Sequence, residues 1–371
     1  MIKKLGIWLL PVFIACVGCN VRAADVNLLK TAYQTVNDEY LGGVSAGEFA
    51  VWSIQGLRDM DRNVTVADDS DHVTIYYKSK LFRSLNTPED KHDAAAWAKL
   101  SAKAVKELRK ISPKIKEKDF EAYDRMLAAG AKKLDKNSKY LSDLLGDEEI
   151  KKTPVNDYAA RKLDDDVLYI KIGAFNKYTA GNVRQSLVLY PEAKSIVLDL
   201  RMSPGGMLNS ALEVAELFLD EGIIVSTKGR KENSAVFYRA HNKAVVKNTP
   251  IILLVDGGTA SAAEVLAAAI KEQGLGVIVG TRTLGKGTVQ NVVKLPGDNH
   301  LLITNAYYHT PSGKKIDGEG LKPDICLSHT NEYADINEIF QRQEPENCPR
   351  EDRSDRRIDL DVAAALLHLR K

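Results

Sequence analysis

The chain has little of what marks several large functional classes. Its apolar opening run, Leu5 to Gly18, falls short of the roughly 20 residues that span a bilayer. Its seven histidines, at 72, 92, 241, 300, 309, 329 and 368, share no metal-ligand spacing, and no HExxH or CxxC pair occurs. A zinc site and a thioredoxin-like redox site therefore have no motif to rest on. The G-x-S-x-G elbow of a serine–histidine hydrolase is also missing. Such an enzyme would have to recruit His241, His300 or His309 through the fold. Charge is close to balanced, with 52 bases and 50 acids. Without the leader bases Lys3, Lys4 and Arg22 the remainder carries 49 against 50, so nothing asks for nucleic acid.

The features that are present point to an exported, folded protein. At 371 residues with 44% hydrophobic content, the chain can bury one large core and a smaller accessory domain. Lys3 and Lys4 precede an apolar run ending in small residues, the order of a secretory signal. Residues 1–24 are read as that signal, with the mature start near Ala24. "CVGC", ending at Cys19, is a poor lipid-attachment site because Cys16 stands where an aliphatic residue is usual, so lipoprotein anchoring is the minor alternative. Removing the leader also removes Cys16 and Cys19, leaving Cys326 and Cys348. An even pair in an oxidising compartment suits a disulfide that ties down the C-terminal tail, with two free thiols as the alternative.

Residues 25–145 read as a mostly helical accessory domain, with "KHDAAAWAKLSAKAVKELRKI" and "KEKDFEAYDRMLAAGAKKLD" apolar at three- and four-residue spacing. Only "HVTIYYKSKLF" alternates like a strand. The polar stretch 146–165 reads as a linker. From Asp166 to about 330, β-rich runs ("VLYIKI", "SIVLDL", "IIVSTK", "PIILLV", "GVIVG", "HLLITNAYY") alternate with helical ones, which is an α/β pattern. Residues 331–371 close the chain as a tail and an amphipathic helix.

Three glycine-bearing turns follow strands in the α/β region, where open sheets place their sites. In "DLRMSPGGML", Gly205 and Gly206 lead into a helix. Their backbone amides can face a ligand with no Cβ in the way, as an oxyanion hole requires, though taken alone the segment reads more simply as an ordinary strand-to-helix turn. In "VDGGTASAAEVLAAAI", Ser261 opens an alanine-rich helix. With Glu264 it has capping-box spacing, and the same position sets its hydroxyl at a helix N-terminus. In "VIVGTRTLGKGTVQ", Gly280 to Lys286 match the spacing of a phosphate loop. Position 287 is glycine where a magnesium-binding hydroxyl is needed, and the residues after it read as strand rather than helix, so no nucleotide is expected.

Taken in order, "SIVLDLRMSPGGML", "GGTASAAEVLAAAI", "VGTRTLGKGTVQ" and "NAYYHTPSGKKIDGEGLKPDI" resemble the C-terminal processing (tail-specific) serine peptidases of the S41 class. The resemblance covers roughly Asp166 to Ile325. It implies an α/β, ClpP/crotonase-like catalytic core behind the mostly helical N-terminal domain. It also implies Ser261 as nucleophile, Lys286 as general base, Gln290 as support for the lysine, and Gly205 or Gly206 with Ala262 as oxyanion hole. Glu272 matches a position where some members carry an acid. A lysine can take the serine proton only when neutral, a form that burial among apolar neighbours favours. "GVIVG" before the loop and "VV" after Gln290 supply such neighbours. No cofactor is implied. Polypeptide substrates are, while an adaptor or regulatory partner and a homo-oligomer stay open. These peptidases usually insert a PDZ domain after the "YLS" region, whereas here about two dozen residues separate Ser142 from Asp166. The expected function is thus a periplasmic serine endopeptidase acting on unfolded or C-terminal segments of exported proteins. A non-catalytic binding or scaffold protein on the same fold is the alternative.

Overall fold

The computed structural model describes residues 23–118, 121–142, 158–164, 166–328, 345–353 and 360–369. The expected leader lies outside them. None of the described helices is long and apolar enough to cross a membrane. Two compact units emerge, one from the N-terminal region together with Val293–Leu301, the other from Glu39–Gly43 and the rest of the chain after Asp147.

The N-terminal unit contains the helices α1 (Ala23–Glu39) and α2 (Ala46–Gln55), a meander β1 (Val64–Asp68), β2 (His72–Tyr77) and β3 (Lys80–Asn86), then α3 (Ala94–Leu108), α4 (Pro113–Glu117), α5 (Ala122–Leu134) and β4 (Lys139–Leu141). Caps fix the helix starts. Glu48 and Ser45 exchange the two bonds of a capping box ahead of α2, and the Asp93 carboxylate receives the amides of Ala95 and Ala96 ahead of α3. Tyr33, Phe49, Ile54, Leu57, Leu108, Ile115, Met126 and Leu127 are fully buried. The stretch read as one strand is a hairpin, because Lys78 and Ser79 both take positive φ (50° and 64°). That makes the two-residue loop between Tyr77 and Lys80, without the Asn-Gly that usually announces it.

The second unit holds the strands β5 (Tyr158–Asp164), β6 (Val167–Ile172), β7 (Ser195–Asp199), β8 (Ile223–Gly229), β9 (Val236–Arg239), β10 (Ile251–Val255), β11 (Gly276–Gly280), most of β12 (Thr288–Lys294) and of β13 (His300–His309), and β14 (Ile325–Cys326). Its helices are α6 (Thr179–Leu189), α7 (Leu208–Ala215), α8 (Ala262–Glu272) and α9 (Leu360–Leu369). One sheet runs β14-β11-β10-β7-β6-β5, and another β12-β13-β8-β9. In the first, β6, β7, β10, β11 and β14 are all parallel, while β5 is antiparallel at the edge. β5 lies inside the stretch read as a linker. Its charged residues, Arg161 and Lys162 among them, hid an edge strand whose outward side faces water.

Every residue of β7 and β10 is buried, as expected for parallel strands covered on both faces. Ile196, Leu198, Leu253, Val255 and Ile278 face one apolar cluster that includes α7 and α8. Val197, Ile252, Leu254 and Val279 face a second cluster with Val362, Ala364 and Ala365 of α9. Each such side chain contributes about 1.5–3 kcal/mol by leaving water. Because β7, β10 and β11 are parallel neighbours, the loops that follow them emerge side by side at their carboxyl ends.

Candidate active site

Those three loops carry Gly205 and Gly206, Ser261, and Lys286. Asp256, fully buried at the end of β10, pins two of them. Its Oδ1 receives the amides of Gly258 (3.0 Å) and Thr259 (3.1 Å) in its own turn and that of Met202 (2.9 Å) from the loop after β7. Further bonds join the set. The Ala260 amide donates to the Ser203 carbonyl, and the Leu284 amide, from the loop after β11, donates to the Thr259 carbonyl, each at 2.9 Å.

Ser261 stands at φ 54°, ψ −118°, the first central position of a type II′ turn, where glycine is the ordinary occupant. Holding a serine there costs about 1–3 kcal/mol, so the surrounding loops impose the geometry. The turn leads directly into α8, with Ser261 at its N-cap.

Glu264 supplies the returning half of a capping box, its carboxylate receiving the Ser261 amide, and does more than cap. Its carboxylate is fully buried and receives four donors. Oε2 takes the amides of Ser261 (2.8 Å) and Lys286 (3.0 Å), while Oε1 takes the Thr283 hydroxyl (2.5 Å) and the Gly285 amide (2.8 Å). A single oxygen atom thus joins the backbone of Ser261 to that of Lys286. Burial raises the Glu264 carboxyl above its ordinary range, and the four hydrogen bonds pull the other way without cancelling it.

Gly205 sits against this turn. A Cβ on it would lie 2.6 Å from the Ala260 carbonyl oxygen and 2.7 Å from the Ala262 nitrogen, at a φ of +88°. Gly205, Gly206 and Ala262 donate no backbone hydrogen bond among the described residues, and Gly205 and Ala262 meet at the Ser261 turn. Gly206 pairs with Phe175 in an isolated bridge that fixes the loop from its other side.

Lys286 is half-buried and forms no ion pair with any described acid. Gly287 beside it cannot be replaced, since a Cβ would meet the Asp317 nitrogen at 2.1 Å. After the loop the chain enters β12, not a helix, in line with the argument against a phosphate loop. Gln290 donates its amide nitrogen to the hydroxyls of Thr288 (2.8 Å) and Thr304 (3.3 Å), which orients the side chain and leaves its carbonyl oxygen to accept.

Glu272 is elsewhere. It lies at the last position of the 11-residue α8, about 15 Å along the axis from the Ser261 end. There it receives the Ser312 amide (2.7 Å) and hydroxyl (3.0 Å), clamping a turn. The His241 amide bonds Glu216, and the His309 ring meets the Tyr307 carbonyl. No cluster of metal-ligating side chains occurs among the described residues. Glu264, Thr283 and Asp256 were not singled out as site residues. The capping-box spacing signalled the first, but nothing local connects it to a loop 22 residues downstream.

The sequence profile of peptidase family S41 matches residues 166–327. A carboxy-terminal-processing protease of Bartonella bacilliformis is 38% identical over 172 residues, which is 45% of this chain and 40% of that protein. The chloroplastic C-terminal processing peptidase of Tetradesmus obliquus is 35% identical, over 43% of this chain and 34% of its own length. A solved structure, the photosystem II D1 C-terminal processing protease, is 34% identical with a TM-score of 0.40, covering 43% of this chain and 41% of its own. The chain therefore spans well under half the length of the curated relatives it matches.

Proposed function

We propose that this protein is an exported serine endopeptidase that uses Ser261 and Lys286 as a catalytic dyad, a reading supported by the match of residues 166–327 to peptidase family S41. One observation carries the reading, the Glu264 carboxylate oxygen that receives the amides of both residues. A binding protein on the same fold would have no need of a serine held at positive φ on a helix start.

In the first half-reaction the Ser261 hydroxyl oxygen attacks the scissile carbonyl carbon while neutral Lys286 takes its proton. The carbonyl π pair moves to oxygen. Amides of Gly205 or Gly206 and of Ala262 receive the oxyanion, a type of stabilisation worth about 2.7–4 kcal/mol per donor. The tetrahedral species collapses, the C–N bond breaks, and the Lys286 ammonium gives its proton to the departing amine. Water then attacks the acyl-enzyme by the reverse use of the same groups, restoring Ser261 and neutral Lys286. Gln290 accepts a lysine hydrogen without adding a charge, so the neutral base is not penalised as it would be by an acid.

The substrates are unfolded or C-terminal segments of exported proteins, and the compartment is the periplasm, a reading supported by the basic-then-apolar leader and by the relatives' processing activity. The test is casein incubated with the mature protein beside a Ser261→Ala variant. Only the former should cleave it. Equal cleavage by both refutes the proposal.

A further inference from the structure

Besides the three loops, a short segment near the C-terminus, Cys348–Arg353, crosses the candidate active site from behind. It touches each of the turns that set the dyad. The Pro349 carbonyl receives the Arg282 amide at 2.9 Å. Arg350 donates Nε to the Thr283 carbonyl (3.0 Å) and its Nη2 to the carbonyls of Gly318 and Glu319. The Glu351 carbonyl receives the Gly257 amide (2.8 Å) and the Thr281 hydroxyl (2.7 Å). The Arg353 amide donates to Asp256 Oδ2 at 3.1 Å, the same carboxylate that holds the Ser261 turn and Met202.

Two anchors hold the ends of this strap. At its far end Arg353 is fully buried, its guanidinium on Asp361 of α9 at 2.7 Å and on the Leu327 carbonyl at 2.5 Å. At its near end Cys348 is bonded to Cys326 of β14, the edge strand beside β11. Thr283, held by Arg350, donates its own hydroxyl to Glu264. The path from disulfide to dyad is therefore short: Cys348, two residues to Arg350, the Thr283 backbone, the Glu264 carboxylate, then the amides of Ser261 and Lys286.

We propose that the Cys348–Arg353 strap is a positioning element of the peptidase centre, with Arg350 the positioning residue for the Lys286 loop and the Cys326–Cys348 disulfide the fastening that makes its hold sensitive to thiols. The inference rests on the serine-peptidase reading of the site. Arg350 lies on the solvent side of the strap and its hydrogen bonds above all go to carbonyl oxygens, so its work is to space the 281–287 loop from the 317–320 turn rather than to touch substrate. A dithiol supplies the two electrons that open the disulfide. Its thiolate attacks the half-buried Cys326 sulfur rather than Cys348, which is only 2% exposed, and Cys348 leaves as a thiolate and takes a proton. The second thiol of the reductant then displaces Cys326, giving two protein thiols and one cyclic disulfide.

The experiment compares kcat and KM on a fluorogenic peptide, and the acylation rate of Ser261 by a fluorophosphonate, for the full mature chain with and without dithiothreitol. The Cys326→Ser/Cys348→Ser, Arg350→Met and Arg350→Lys proteins are run beside it, with circular dichroism at the assay temperature as the control for folding. Reduction should lower kcat and acylation about tenfold with KM within about twofold, reversibly on reoxidation. The double serine variant should show the lowered kcat and ignore the dithiol. Arg350→Met should lower kcat likewise, and Arg350→Lys, which still donates to one carbonyl, should recover part of it. Folded, active protein whose kcat is unchanged after thiol titration finds both cysteines free, or an Arg350→Met protein with wild-type kcat, overturns the inference and leaves the peptidase reading intact. Oxidised wild-type protein that neither cleaves nor labels overturns both.

Discussion

Glu264→Gln keeps the shape of the buried side chain but replaces one acceptor oxygen by an NH2 group facing donors. Placed where Oε2 stands, that NH2 would orphan the amides of Ser261 and Lys286. Placed where Oε1 stands, it would orphan the Gly285 amide alone, because the Thr283 hydroxyl can turn to accept. The second arrangement is the cheaper, and one buried unpaired N–H costs about 1–3 kcal/mol. The bonds that remain also lose their charge-assisted strength. Gly285 adjoins Lys286, so the loop should shift, and a misplacement on the order of 1 Å costs roughly 10²-fold in rate. Urea denaturation and the rate of Ser261 acylation by a fluorophosphonate measure the two effects. The pH dependence separates them further. Burial raises the Glu264 carboxyl in the folded state, so the folded protein protonates it as pH falls through that raised value, above the ordinary carboxylate range. Acylation should fall with that protonation. The contribution of this group to stability runs the other way, diminishing as pH rises from the ordinary carboxyl range through the raised one, because the fold prefers the neutral form. The glutamine variant should lack this acid limb. Wild-type stability, acylation and pH profile in Glu264→Gln would refute the reasoning.

Gly205→Ala places a methyl 2.6 Å from the Ala260 carbonyl at a φ of +88°. It should lower kcat about 10²-fold while KM stays within a few-fold, as peptide kinetics would show. Leu253→Ala, at a fully buried position in the middle of β10, should cost about 2–5 kcal/mol in urea denaturation. Burial opposes ionisation of Asp199, but the Arg201 guanidinium at 2.6 Å, with Lys171 and Tyr169, outweighs it and holds the carboxyl below its usual range. Its stabilisation is then complete above the ordinary Asp range, about 3.9, and lost as pH falls through the depressed value. Asp199→Asn should cost about 3–5 kcal/mol at neutral pH by leaving Arg201 without its main partner, and its denaturation midpoint should change less than the wild type's below that range.

The α/β core was legible because parallel strands buried on both faces read as continuous apolar runs. "SIVLDL" and "PIILLV" became β7 and β10, and the alanine-rich stretch after Ser261 became α8. Counting the cysteines left after the expected leader allowed a disulfide without deciding it against two free thiols, and the structure shows the bond. α6 was missed because Thr179, Val183, Ser186 and Leu187 form a narrow buried stripe, diluted by the exposed Val188 and Leu189. β5 was missed because an edge strand can carry charge on its open side. At the site, glycine turns after strands located all three loops, since backbone geometry is written locally. The connections between loops, Asp256 to Met202 or Glu264 to Lys286, span 54 and 22 residues. Those exist only once the parallel register has set β7, β10 and β11 side by side.

The most direct measurement is mass mapping of a fluorophosphonate adduct on the wild-type protein and on Lys286→Ala. The wild type should carry a single adduct, on the peptide containing Ser261. The Lys286→Ala protein, folded by circular dichroism, should carry none on the same timescale, because a serine without its base is a weak nucleophile. An adduct formed equally fast without Lys286, or none on Ser261 in wild-type protein that cleaves casein, would contradict the dyad.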